Sequence, residues 1–343
     1  SAYIPVFVLG IWKAGLCASI VSTWIDEVSL ARIIESTGAK LMIDEELFGE
    51  ILKEPAEQGY VRAGEHDAAF IFYTSGTTGP IKGCLHEYGD LDRIALQQYD
   101  ESVKYDRVAM DSPLYDLGAF STIFPYLYYS AYVHIAPPGS FKDTEYFVET
   151  VNRYGITNSF FMPEKLRNIL SGNVVERCPS LWYFSTGYEP VKRLYSEKIP
   201  VYCFYGASES YLLLSNFVID RTYDLTPAGV PNPAAEVIIL DERGEPLPGG
   251  EIGEICYRNP YMRGYLNMPE KTAELFRFGV CHTGDLGRIL PDGKLMVYGR
   301  REDAAFRDGK YYIPSVIESA AEAVLDISGS TVLIIEDGDG VTA

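Results

Sequence analysis

Short apolar runs alternate with segments of helical spacing along the first two thirds of the chain. Six runs, each enclosed by polar residues or by Gly and Pro, have the length of buried strands: residues 40–44, 68–73, 132–136, 157–162, 181–186 and 201–205. Residues 29–38, 143–155 and 163–172 instead repeat apolar positions at the period of a helix. This order predicts an α/β fold of βα units with a largely parallel sheet, which binds ligands beyond the carboxyl ends of its strands.

The pattern changes at about residue 223. Residues 234–258 alternate apolar and polar positions around Gly and Pro turns, and residues 287–300 repeat this style around an Asp-Gly turn. Both segments predict antiparallel strands, and a further unit begins after Gly299. We therefore expect α/β core lobes over residues 1–222, a smaller antiparallel β lobe over 223–299, and a third segment over 300–343.

Composition limits the classes of protein that need to be considered. The 343 residues are 47% hydrophobic and 22% charged, so the chain can bury a large core and is not disordered. The formal net charge of -19 argues against a surface that binds nucleic acid or anionic lipid, because neutralising phosphates requires clustered Lys and Arg. A phosphate ligand must therefore be held locally.

The cysteines and the N-terminus indicate the compartment. The six cysteines lie far apart, with no CxxC pair and no Cys/His spacing suited to zinc, which fits free thiols in a reducing cytosol. The apolar start of the chain lacks a basic segment, and Lys13 interrupts it. No run approaches the roughly 20 apolar residues that a membrane helix requires. These features predict a cytoplasmic protein.

One loop carries the first candidate chemistry. The stretch "FIFYTSGTTGPIKG", residues 70–83, leads from a predicted strand into hydroxyls and glycines whose backbone N–H groups can hold polyphosphate oxygens, with Lys82 adding charge. It is not a Walker A loop, because Lys82 follows Ile81 and precedes Gly83. Such a loop by itself is more often a flexible connection.

Three further stretches change that interpretation. Together with "YTSGTTGPIKG", the motifs "YGASES" (205–210), "HTGD" (282–285) and "GRRED" (299–303) resemble, in order and spacing, the adenylate-forming (ANL) superfamily of acyl-CoA synthetases, luciferases and nonribosomal peptide synthetase adenylation domains. The segments "IWKAG" and 260–276 also look like motifs of that family, so the resemblance covers nearly the whole chain.

The resemblance implies an activity and two cofactors, ATP and Mg²⁺. Such enzymes join a carboxylic acid to the α-phosphate of ATP, release pyrophosphate, and pass the acyl group to a thiol. It implies catalytic roles for Thr78, Lys82 and Glu209, with Glu209 as the Mg²⁺ ligand. The implied nucleotide-binding residues are Thr74, Ser75, Gly76, Thr77, Gly79, Gly187, Tyr205 (stacking on adenine), Gly206, Ser208 (near the α-phosphate), Asp285 (on the ribose hydroxyls) and Arg300 (assisting Asp285).

Each of these residues also has an ordinary structural interpretation. Tyr205 could be a core aromatic, Glu209 an acid favoured by a helix dipole, and Asp285 a turn residue. The ordered set of motifs favours the functional interpretation. His86 and His282 are interpreted as structural, and the absence of a GxSxG elbow from the sequence makes a hydrolase a weak alternative.

The acid substrate follows from an alignment to amino-acid-activating domains. The resemblance puts Asp116 where those domains pair an aspartate with the substrate ammonium, and a buried carboxylate needs such a partner. The implied pocket lining is Leu117, Phe120, Phe160, Phe184, Thr186, Phe204, Leu212 and Leu213. This bulk predicts a small side chain, as in glycine or alanine. The rings could instead be core, and a shift by one position puts Leu117 in place of Asp116, favouring an acid without an amino group.

Two departures from the family pattern concern the ends. Members of the family have a sizeable portion ahead of the "IWKAG" segment and a distal lysine in a mobile C-terminal lobe, and this sequence shows neither. We therefore expect either a fragment or joined parts of a longer protein, which binds nucleotide but adenylates slowly. The resemblance puts the hinge at Glu302, and Lys310 lies too close to it to be the distal lysine. The expected acceptor is the phosphopantetheine arm of a carrier protein. The alternatives are an acyl-CoA ligase, which residues 309–318 resemble, and a nucleotide-binding module without catalysis.

Overall fold

The computed structural model describes residues 3–55, 59–74, 81–91, 101–115, 117–187, 190–210, 213–258, 262–325, 330–337 and 340–342. The α-helices are α1 Ile4–Lys13, α2 Glu27–Thr37, α3 Glu45–Ile51, α4 Leu117–Tyr128, α5 Thr144–Tyr154, α6 Pro163–Ser171, α7 Val174–Arg177, α8 Pro269–Leu275 and α9 Pro314–Leu325. The strands are β1 Ala18–Ser19, β2 Ala68–Thr74, β3 Lys82–Glu87, β4 Arg107–Met110, β5 Tyr132–Ile135, β6 Asn158–Phe160, β7 Tyr183–Gly187, β8 Val201–Gly206, β9 Leu213–Val218, β10 Val230–Pro231, β11 Val237–Leu240, β12 Gly253–Tyr257, β13 Gly264–Tyr265, β14 Cys281–Ile289, β15 Leu295–Arg300, β16 Ala305–Arg307, β17 Lys310–Tyr312, β18 Ile335–Asp337 and β19 Gly340–Thr342.

The largest sheet has seven strands in the order β10-β9-β8-β7-β6-β4-β5. Strands β5, β4, β6, β7 and β8 are parallel, β9 is antiparallel to β8, and β10 is antiparallel to β9. One face packs on α5 and α6, where Phe147 and Leu166 are fully buried, and the other packs on α4 through Ile123 and Tyr126. This confirms the predicted α/β fold with a largely parallel sheet.

Local sequence signals explain the helices around this sheet. Asp143 caps α5 by accepting a hydrogen bond from the backbone N–H of Glu145 at 2.9 Å, and Gly155 ends the helix in the left-handed conformation. Pro163 begins α6, since a proline in the first turn gives up no helical hydrogen bond. Helix α2 begins and ends in the same way as α5, at Asp26 and Gly38.

One predicted strand is wrong. Residues 40–44 form no strand, and the run instead leads to Asp44, whose carboxylate caps α3 by accepting from the N–H of Leu47 at 2.9 Å. A run of five residues is too short to show a period, so it does not distinguish a strand from a segment that leads into a helix.

Strand β2 lies outside the parallel sheet. It belongs to a four-stranded sheet of order β1-β2-β3-β13, in which β2 and β3 form an antiparallel hairpin and β13 pairs antiparallel with β3. The loop of hydroxyls and glycines therefore connects two antiparallel strands rather than a strand and a helix.

The predicted antiparallel lobe forms a sheet of order β11-β12-β14-β15. Its Ile255 and Tyr257 share one hydrophobic core with Phe72 of the first sheet and Tyr205 of the largest sheet. The carboxyl end of β8 therefore meets both four-stranded sheets. No helix among the described residues combines the length and apolar character needed to cross a bilayer.

Candidate functional site

The hydroxyl-rich loop is bounded by Thr74 and Lys82, which face each other as paired residues of β2 and β3. Residues 75–80 lie outside the described chain, so the roles expected for Ser75, Gly76, Thr77, Thr78 and Gly79 stay predictions. Thr74 is described through its backbone. The two ends of the loop therefore lie side by side on neighbouring strands.

Lys82 and Glu209 both contact the same residue, Tyr265. The Lys82 Nζ lies 5.2 Å from the ring centroid of Tyr265 in β13, within the range of a cation–π contact. The Tyr265 hydroxyl donates a 2.7 Å hydrogen bond to Oε1 of Glu209. Two residues expected to act in catalysis are therefore connected by Tyr265, to which the sequence analysis assigned no role.

Tyr205, Asp285 and Arg300 form a second cluster. The Tyr205 hydroxyl donates to Oδ2 of Asp285 at 2.7 Å, and Arg300 Nη1 donates to Oδ1 at 3.1 Å and to the carbonyl of Thr283 at 3.0 Å. Asp285 and Arg300 are paired residues of β14 and β15. Gly284 has φ of 73°, and a Cβ there would lie 3.0 Å from Arg300 Nη2, so glycine lets the guanidinium pass.

The Asp285 carboxylate keeps capacity for a ligand. Among the described residues each of its oxygens accepts one hydrogen bond, and a carboxylate has about four acceptor positions. Burial raises the pKa of Asp285, and the neighbouring Arg300 guanidinium and Tyr205 hydroxyl offset part of that rise. Burial and the Asp285 charge raise the pKa of Tyr205 well above its ordinary value, so Tyr205 remains a neutral donor.

The segment after β8 holds the next predicted residues. Gly206 ends β8, and Ser208 and Glu209 lie half-buried in the turn that follows. Ser210 closes this turn: its hydroxyl donates to the carbonyl of Ala207 at 2.8 Å and accepts from the Ala207 N–H at 3.1 Å. The turn therefore fixes where Glu209 lies relative to Tyr205 at the end of β8.

Gly187, at the end of β7, is required by packing. Its φ is 155°, and a Cβ there would lie 2.1 Å from the carbonyl oxygen of Phe204 on β8. No side chain fits at that distance. Glycine at this position therefore allows the backbones of β7 and β8 to approach each other closely at their carboxyl ends.

The strand register corrects the predicted pocket. Phe160 pairs with Ser185, and Gly187 pairs with Phe204, so these four residues share one face of the sheet, whereas Phe184 and Thr186 face the other side. Phe184 is completely buried beside Phe147 at 6.4 Å between ring centroids. Phe184 and Thr186 therefore do not line a pocket with Phe160 and Phe204.

The remaining pocket residues are distributed unevenly. Phe120 of α4 is buried in an aromatic cluster, with its ring centroid 4.6 Å from that of Phe72 and 4.2 Å from that of Phe124. Asp116 and Leu212 lie outside the described residues, as does the side chain of Leu117. Leu213 begins β9 and is half-buried. The aspartate expected to bind an ammonium group thus stays a prediction.

Glu302 lies in a 3₁₀ turn, Arg301–Asp303, directly after β15. Arg301 forms ion pairs with Glu254 and Glu242, and Glu242 also accepts a hydrogen bond from the Tyr311 hydroxyl beyond the turn. Charged contacts therefore exist on both sides of the predicted hinge.

Glu254 is a second residue of the site that sequence reasoning missed. Its Oε2 contacts Arg277 Nη2 at 2.7 Å, Arg301 Nη1 at 3.1 Å and His282 Nδ1 at 3.1 Å, and its Oε1 accepts from the N–H of Gly284 at 3.2 Å. Burial opposes ionisation, but the hydrogen bond with His282 and the charges of Arg277 and Arg301 lower the pKa of Glu254 overall. Glu254 thereby ties the "HTGD" turn to the residue before the hinge.

Glu254, Cys256 and His282 have the ligand types of a metal site, with the relevant atoms within 4.8 Å of one another. Two guanidinium groups already neutralise this carboxylate, and a metal cation would meet their repulsion. We therefore assign the cluster to an ion-pair network, consistent with the structural role predicted for His282.

Comparisons with known proteins match this arrangement. The AMP-binding enzyme family model matches residues 1–266. Nonribosomal peptide synthetase 7 of Aspergillus fumigatus is 29% identical over 84% of the chain, which spans 13% of that relative. Bacitracin synthase 1 of Bacillus licheniformis is 29% identical over 80% of the chain, which spans 5% of it. The chain thus corresponds to a small part of these relatives.

Solved structures show the same fold. The o-succinylbenzoate coenzyme A synthetase of Bacillus subtilis in complex with ATP and magnesium aligns with a TM-score of 0.81 at 24% identity, covering 98% of this chain and 75% of that one. An anthranilate CoA ligase in complex with anthranoyl-AMP aligns with a TM-score of 0.84 at 19% identity, covering 98% and 73%.

The chain belongs to the AMP-binding enzyme family. The predicted membership of the adenylate-forming superfamily is therefore confirmed.

Proposed function

We propose that the protein uses ATP to activate a small amino acid, such as glycine or alanine, as an acyl-adenylate, and then transfers the acyl group to the phosphopantetheine thiol of a carrier protein. The observation that carries this proposal is the Asp285 carboxylate between Tyr205 and Arg300, next to the strand end that presents Glu209.

In the proposed reaction, an oxygen of the acid's carboxylate attacks the α-phosphorus of ATP. The new P–O bond forms as the bond to the bridging oxygen breaks, so pyrophosphate leaves with its electron pair. Thiolate attack on the acyl carbon later releases AMP. Because both steps need the nucleotide held in one place, the ribose contact at Asp285 would serve both.

Glu209 fits the proposed Mg²⁺ site. Tyr265 holds its Oε1, and within the described chain Oε2 accepts no hydrogen bond, so a hard carboxylate oxygen is available of the kind that Mg²⁺ prefers. Bound Mg²⁺ would neutralise negative charge on the phosphates. Lys82 supplies a further positive charge beside the Tyr265 ring.

The strand register supports a narrow acid pocket. Phe160 on β6 and Phe204 on β8 flank β7 on the same face, and Gly187 between them adds no side chain. We propose that the substrate's side chain lies against these rings, with Asp116 as the partner of its ammonium group. Similarity to a nonribosomal peptide synthetase supports an amino acid over other acids.

A panel of acids in ATP–pyrophosphate exchange tests the proposal. Glycine or alanine should drive exchange at least about 10-fold faster than phenylalanine or a fatty acid, since excess bulk in a fixed pocket costs about 1–3 kcal/mol. Exchange only with acids that lack an amino group, followed by a CoA thioester product, would favour the acyl-CoA ligase. ATP binding without exchange for any acid would contradict catalysis.

A further inference from the structure

Tyr265 lies between two charged residues of the site. Its hydroxyl is 2.7 Å from Oε1 of Glu209, and the ammonium group of Lys82 lies 5.2 Å from its ring centroid. The side chain is largely enclosed, with the residue 9% exposed. A buried phenol in contact with one anion and one cation is strongly fixed in orientation, because moving it would break both contacts.

The backbone of Tyr265 is held as firmly as its side chain. Its residue pairs with Cys84 of β3, and its N–H donates to the Thr272 hydroxyl of α8 at 2.9 Å. The preceding Gly264 has φ of 144°, and a Cβ there would lie 2.6 Å from Thr272 Cγ2. Strand β3 and helix α8 therefore fix the point from which the hydroxyl reaches Glu209.

The hydrogen bond is one-sided. Tyr265 binds Oε1, and Oε2 of Glu209 has no donor among the described residues. This hydrogen bond restricts the rotation of the Glu209 carboxylate and leaves Oε2 as the oxygen open to a cation. Burial and the charge of Glu209 raise the pKa of Tyr265, which keeps its hydroxyl protonated as a donor.

We infer that Tyr265 is a positioning residue that orients Glu209 for the divalent cation accompanying the nucleotide. This inference rests on the proposed function, because it assumes that Glu209 binds the cation. Groups that orient a metal-binding carboxylate typically contribute about 10–100-fold to metal affinity.

The test measures ATP binding by calorimetry at increasing Mg²⁺ concentrations, for wild type and Tyr265→Phe. The phenylalanine keeps the ring beneath Lys82 and removes only the donor, so the midpoint Mg²⁺ concentration should rise about 10-fold. ATP affinity in EDTA should stay within about twofold of wild type, since no phosphate contact is removed.

Tyr298→Phe is the matched control. Tyr298 is also buried, its ring lies 5.7 Å from the Arg288 guanidinium, and among the described residues it contacts neither Glu209 nor Lys82. Its midpoint should equal that of wild type. An unchanged midpoint in Tyr265→Phe, or equal shifts in both variants, would overturn the inference alone. A wild-type protein whose ATP binding ignores Mg²⁺ would instead contradict the proposed function as well.

Discussion

Changing Asp285 to alanine is expected to weaken ATP binding at least about 100-fold. The proposed ribose contacts are hydrogen bonds to a charged group, each contributing about 1.5 kcal/mol or more, and the two together correspond to this loss. The substitution also leaves the Tyr205 hydroxyl and the Arg300 guanidinium without their carboxylate partner. Equilibrium binding of ATP measures the effect.

The control for this prediction is Asp292→Ala. Asp292 lies in the turn between β14 and β15, where it pairs with Lys294 at 2.7 Å and contacts no residue of the proposed site. It removes the same charge from the same hairpin. ATP affinity in Asp292→Ala should match wild type, and an Asp285→Ala protein that binds ATP within about threefold of wild type would contradict a role for Asp285 in ribose binding.

Changing Glu209 to glutamine is expected to slow pyrophosphate exchange about 100-fold or more. The amide oxygen can still accept from Tyr265, so the turn after β8 should persist, but the anionic oxygen offered to the cation is lost. Removing one preorganised electrostatic group from an active site typically costs about 10²–10³ in rate. ATP affinity in EDTA should change little, which separates this variant from Asp285→Ala.

Glu274→Gln is the matched control for charge. Glu274 is an exposed residue of α8 that pairs with Lys271 at 2.7 Å. Exchange in Glu274→Gln should equal wild type at every Mg²⁺ concentration. If Glu209→Gln kept more than about a third of the wild-type exchange rate, Glu209 would not be the cation ligand of the reaction.

Much of the fold follows from local patterns in the sequence. Five of the six predicted strands and all three predicted helices exist, because their apolar periods and caps are properties of neighbouring residues. The strand predicted at 40–44 failed where the run was too short to carry a period. Strand β2 pairs with β3 rather than with the parallel sheet. Strand pairing is a long-range property, and the local pattern of residues around the loop between β2 and β3 does not reveal it.

The site was predicted less completely, for a physical reason. Tyr205 and Asp285 are 80 residues apart in the sequence. They were assigned to one site because their motifs occur in the order of a known family, and no local pattern predicts their contact. Phe184 and Thr186 were put on the wrong face because an alignment error of one residue reverses every side chain of a strand. Tyr265 lies within the family-like segment 260–276, but its contact with Glu209 spans 56 residues and has no local signal.

A crystal structure with a non-hydrolysable ATP analogue and Mg²⁺ would test the central claim most directly. Both ribose hydroxyls should lie within hydrogen-bonding distance of the Asp285 carboxylate, with the triphosphate directed toward Lys82 and Glu209. A nucleotide bound elsewhere on the protein, or a ribose turned away from Asp285, would contradict the proposed site.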